Sequence, residues 1–115
     1  MKSVSREVLT VNGANGTARK ALDGVILEVA FVYSGTTNAN TNSEIFEQVD
    51  NYRKAIAGNN SSATNISFPV ANQSKDAAGT DTGQYTAPFV SGDVVLEVDG
   101  ADANQVTKAY LWIAR

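Results

Sequence analysis

Apolar residues along this chain recur at every second position or run together in short blocks bounded by Gly, Asn and Asp, and both patterns belong to β-strands. Ser3 to Val11 alternates, setting Val4, Arg6, Val8 and Thr10 on one side and Ser5, Glu7, Leu9 and Val11 on the other. This is the mark of an amphipathic strand at or near a sheet edge. Asn12-Gly13 and Asn15-Gly16 supply a turn. After Asp23-Gly24, the block Val25 to Tyr33 (VILEVAFVY) is interrupted only by Glu28 and reads as a central strand covered on both faces. Val94 to Val98 and Thr107 to Ala114 read as the two strands of a hairpin around Asp99 to Asn104, preceded by a turn at Ser91-Gly92-Asp93.

Between these strands lie polar stretches. Ser34 to Asn42 has almost nothing to bury and is expected to be exposed and mobile. Ile66 to Val70 is a short strand whose Pro69 suits an edge. Ala71 to Gln84 is a long excursion of Asp, Ser, Gly and Thr, either a contact element or plain surface disorder. Ser43 to Gly58 fits two elements. Ile45, Val49, Tyr52 and Ile56 recur at helical spacing, with a capping box at Thr41 and Glu44 and a terminal Gly58. The same residues also make two short strands joined at Asp50-Asn51. The fold class expected is therefore mainly β: a single antiparallel β-sandwich, jelly-roll-like, with a short helix near 43–57 left open. One domain suits 115 residues, and Met1 to Arg6 also reads as an extended N-terminal arm.

Composition narrows the function. The chain holds no histidine and no cysteine, so the commonest tools of acid–base, covalent and transition-metal chemistry are missing, and neither an enzyme nor a cofactor or metal site is expected. A net charge of −3 with scattered Lys and Arg argues against direct nucleic-acid binding. No apolar run reaches membrane-spanning length and the start lacks the apolar core of a signal peptide, so a soluble protein without a membrane partner is expected.

Three constellations resemble sites and fail on spacing, and a fourth has a plainer explanation. Glu28, Glu97 and Asp99 show no pairing of the kind glycoside hydrolysis needs. Asp99 to Asn104 has the composition of a calcium loop without its closing glutamate. Gly13 to Gly16 lacks both the nucleotide fingerprint and a following helix. The five Asn-x-Ser/Thr triplets, at Asn15, Asn59, Asn60, Asn65 and Asn72, are explained by turn formation in a chain rich in these residues. The aromatic end is more informative, because alternation puts Tyr110 and Trp112 on one face and Leu111 with Ile113 on the other. One face joins the core. The other is either a second core side or a subunit interface.

The order of features, from Leu22-Asp23-Gly24 and VILEVAFVY through Asp50-Asn51-Tyr52 to SGDVVLEV and KAYLWI, resembles the small β-sandwich virion proteins of tailed bacteriophages. These are the capsid decoration, or cement, proteins and other head-associated proteins. The resemblance implies a structural protein of the phage head, made in the host cytoplasm, that binds the major capsid protein and stabilises the shell without turnover. It also implies a homo-oligomer, most simply a trimer. Interface candidates are Met1, Lys2, Ser3 and Val4 of the terminal segment and Thr36, Thr37 and Asn38 of the first polar loop. Asp76 and Asp81 of the long excursion and Tyr110 and Trp112 complete the set. Two other roles suit such a sandwich: a tail or host-recognition module binding glycan, and a neck or tail-completion protein.

Overall fold

The protein is all β. The structure, a computed structural model, describes residues 3–75 and 77–115, among which nine strands run in the order β1 (Val4–Asn12), β2 (Gly16–Ser34), β3 (Asn42–Val49), β4 (Tyr52–Asn59), β5 (Ile66–Pro69), β6 (Asn72–Lys75), β7 (Asp81–Thr86), β8 (Phe89–Asp99) and β9 (Val106–Ala114). Seven form one antiparallel sheet in the order β1-β9-β2-β8-β3-β4, with β5 also on β2, and β6 pairs only with β7.

The 19-residue β2 makes one sheet into two layers. Straight, it would span roughly 60 Å at about 3.3 Å per residue, yet the longest extent of the molecule is 44 Å. It therefore bends. Its first half pairs with β8, from Gly16 opposite Val98 to Val25 opposite Phe89. Its second half pairs with β9, from Val25 opposite Ala114 to Ser34 opposite Val106, with an irregularity between Ile26 and Glu28. Gly24 stands at the change of partner with φ +141°, and a Cβ there would lie 2.5 Å from the Ala114 carbonyl oxygen. Only glycine fits that approach. One layer is then β5, the second half of β2, β9 and β1, and the other is the first half of β2, β8, β3 and β4. Their inward side chains make one core, with Ile26, Val29, Phe31, Ile45, Val94, Leu96, Leu111 and Ile113 excluded from solvent.

Several expectations need correction. Of the two readings of Ser43 to Gly58, the strand pair holds and the helix does not: β3 and β4 make a hairpin turning at Asp50-Asn51, with Asp50 at φ +51°. A helix would have left the backbone of β8 unpaired along the edge that β3 fills, from Asn42 opposite Asp99 to Gln48 opposite Asp93. Ser91-Gly92-Asp93 is not a turn but runs through the middle of β8, opposite Leu22 and its neighbours. The small residues serve packing there, since a Cβ on Gly92 would come 3.1 Å from the buried Glu47 carboxylate, which accepts the Ser91 N–H at 3.0 Å. β8 and β9 do not pair as a hairpin, because each already has a strand on both sides, and residues 100–105 cross between layers instead. The strand expected at Val25 begins at Gly16. The excursion after Ala71 contains a hairpin of its own, with Asn72 opposite Thr86 and Lys75 opposite Asp81.

Candidate functional site

The two ends of the sandwich differ in chemistry. One gathers the loops 13–15, 35–41, 60–65 and 100–105, and hydrogen bonds tie them together. Gln105, 1% exposed, is the knot. Its Oε1 accepts the Asn38 N–H at 2.9 Å and the Asp102 N–H at 3.3 Å, while its Nε2 donates to the hydroxyls of Thr107 at 3.0 Å and Thr41 at 3.2 Å. The backbone joins in, with Gly13 N–H on the Gln105 carbonyl and Ala101 N–H on that of Ala14. Three of the five Asn residues of the glycosylation-like triplets serve this end too. Asn65 accepts the Tyr33 N–H at 2.8 Å, Asn59 donates to the Tyr33 hydroxyl at 2.9 Å, and Asn15 accepts the Gly100 N–H at 3.2 Å.

The opposite end holds the β3–β4 turn, the start of β8, Ser3 with Arg115 and the root of the β6–β7 hairpin, which projects as an arm with every residue of β7 exposed. Here large apolar side chains face solvent: Val49, Tyr52, Tyr85, Phe89 and Val4. Lys54 donates to the Phe89 carbonyl at 2.7 Å, which places Phe89 beside the β3–β4 hairpin. Beneath it lies Glu47, nearly buried, with its carboxylate 3.5 Å from the Lys54 ammonium.

The layers also differ on their outer faces. On β8, β3 and β4, charged side chains cover what is apolar: the Arg53 guanidinium lies 4.5 Å above the Phe46 ring and pairs with Glu97 at 2.9 and 3.1 Å, and Arg19 pairs with Asp93 at 3.3 Å. The Glu97 hydrogen bond raises the Arg53 pKa above its ordinary value. On β2, β9 and β1 the outward residues are mostly apolar, with Val4 at 56% and Val8 at 41% exposure beside half-buried Tyr110 and Trp112. Where the open edges of the layers meet, Glu7 of β1 binds Lys20 of β2 at 2.7 Å and Arg115 at 3.1 Å. Its hydrogen bond with Lys20, helped by the charges of Lys20 and Arg115, outweighs burial and lowers its pKa.

The residues expected at an interface thus fall in several places. Ser3 and Val4 are at the arm end, and Asp81 is on the arm, ion-paired with Lys75. Thr36, Thr37 and Asn38 are at the tied end, where Asn38 is held through its backbone. Tyr110 and Trp112 are on the outer face of β9. Met1, Lys2 and Asp76 lie outside the described residues. Sequence reading passed over Val49, Tyr52, Tyr85 and Phe89. The signal available was their position, either bracketing the Asp50-Asn51 turn or flanking Pro88 in a polar stretch.

Glu28 lies on the outer face of one layer and Glu97 on that of the other, so the fold does not assemble the three acids considered for hydrolysis. Four surface hollows each carry one carboxylate or none, and none is lined by Tyr110 or Trp112. Among the described residues no three Asp or Glu side chains cluster as metal ligands would. The sequence matches no protein-family model and no curated protein.

Proposed function

We propose that this protein works by adhesion, as a capsid decoration or cement protein of a phage head that binds the major capsid protein and stabilises the shell. The observation that carries this reading is the contrast between the ends. Val49 and Tyr52 stand exposed side by side at the β3–β4 turn and Phe89 is exposed at the same end, while the other end is closed by its own hydrogen bonds. Apolar groups of this size displayed together are sites of association, and aromatic ones supply much of the energy of such contacts. Repetition on a symmetric lattice lets modest contacts hold firmly. A glycan-binding role is less well supported, because Trp112 and Tyr110 lie on a sheet face and line none of the four hollows described.

The test is to mix purified protein with immature and expanded heads that lack it and to measure co-sedimentation. Stoichiometric binding, abolished by Tyr52→Asp combined with Phe89→Asp in a variant with unchanged melting temperature, is the expected result. Failure to bind either form of the head would remove the proposal. Sugar protection of tryptophan fluorescence against acrylamide would favour the glycan role instead.

A further inference from the structure

The block VILEVAFVY has apolar residues on both faces, and the fold buries one of them fully and the other only in part, with Ala30 buried and Glu28 and Val32 half-buried. Ile26, Val29, Phe31 and Tyr33 point into the core, while Glu28, Ala30 and Val32 point outward beside Trp112, Tyr110 and Lys108 of β9. Beyond β9, β1 continues the same rows: Arg6 stands next to Trp112 and Val8 next to Tyr110. One row therefore reads Glu28, Trp112, Arg6 across three strands. Strands lie about 4.8 Å apart, so the backbones of Glu28 and Arg6 stand roughly 10 Å from one another on either side of Trp112. Among the described residues neither has an ion-pair partner, and Arg6 instead rests over the Tyr110 ring, 5.1 Å from its centre.

We infer that this face is covered by a second copy of the same chain, packed sheet to sheet about a two-fold axis that passes over Trp112 and is tilted from β9 by half the roughly 30° crossing angle of packed sheets. Rotation by half a turn about that axis exchanges the two sides of the row. It sets Glu28 of each copy over Arg6 of the other and lays the aromatic centres together. The result is two reciprocal charge pairs flanking an aromatic core, the self-complementary arrangement a two-fold interface requires. Lys108 is the one opposing feature. It lies about 14 Å from Trp112 along β9, at the rim. The crossing angle of roughly 30° between packed sheets parts the two ammonium groups, and the long stem lets each reach water. The other layer needs no such partner, because Arg53 and Arg19 already cover its outer face. This pairing does not depend on the decoration role, since the adhesive end and the arm remain free in it. It replaces the three-fold ring that the phage resemblance implies with a two-fold unit.

Sedimentation equilibrium of the full chain tests this, with the sole tryptophan as a second reporter, since Trp112 emission should shift to the red when dilution separates the copies. The expected result is a dimer that Arg6→Glu and Glu28→Arg, each alone, weaken by about tenfold or more. The double reversal should restore the dissociation constant to within about threefold of the original, because a charge pair depends on sign complementarity. A monomer at every concentration, a trimer, indifference to the single reversals, or a double reversal that fails to rescue would each overturn the inference. Capsid binding by a chain that stays monomeric would leave the decoration role standing without the pair.

Discussion

Gln105 does with one side chain what several loop residues would otherwise have to do separately. Replacing it by leucine fills the space but orphans the N–H groups of Asn38 and Asp102 and the hydroxyl of Thr107, while the Thr41 hydroxyl keeps its bond to the Asn38 carbonyl. A buried donor without a partner costs about 1–3 kcal/mol, so Gln105→Leu should lose roughly 2–4 kcal/mol in urea denaturation. Amide exchange at Asn38 and Asp102 should accelerate with it. Glu7 makes a claim about acid. Its pKa is lower folded than unfolded, so its pairing with Lys20 and Arg115 stabilises fully above the ordinary glutamate range and is lost as pH falls through the folded value. The stability difference between the native chain and Glu7→Gln should therefore hold constant from neutrality down to that range, then shrink and level off. A urea midpoint difference that instead grows on acidification would contradict the assignment. Neither role is readable in the sequence, where Gln105 is one polar residue in a turn and Glu7 one charge in an alternating strand.

Strand identity was legible where a face is buried against one neighbour. β1 and β9 appear as their alternation predicts, with Leu9, Val11, Leu111 and Ile113 inside. Where local pattern supports two structures, tertiary pairing decided. Ile45 and Ile56 are buried as a helix would have them, but Val49 and Tyr52 stand exposed at a hairpin tip. Glycine misled in both directions. Gly92 looked like a turn and makes room for Glu47, whereas Gly24 looked like a strand start and is the point at which one strand changes layers. Gly24→Ala should cost at least about 3 kcal/mol, combining an overpacked contact with a backbone conformation that alanine avoids. Chemical denaturation measures this, and a loss below about 1 kcal/mol would mean that β2 can bend elsewhere. The apolar arm end was invisible to periodicity, because its residues come from turns and strand starts with no repeat to detect.

At the scale of the whole molecule, the first and last strands are partners, Val4 opposite Ala114 through Asn12 opposite Val106, and the Arg115 N–H reaches the Ser3 carbonyl at 3.0 Å. No stretch of sequence announces that closure, since it joins residues at the two extremes of the chain. Pairings this distant in sequence make folding slow relative to helical proteins of similar size. The closure also sets how the molecule bears load. Tension applied between the two termini opens the β1–β9 ladder like a zip, one hydrogen bond after another, whereas tension between the arm and the tied end runs along the strands and must shear whole ladders at once. Single-molecule pulling should find the first direction weak and the second strong. Equal rupture forces would mean that β1 contributes little to holding the sandwich shut. A load carried through the arm is thus borne along the strands, and the β1–β9 seam is not pulled apart rung by rung.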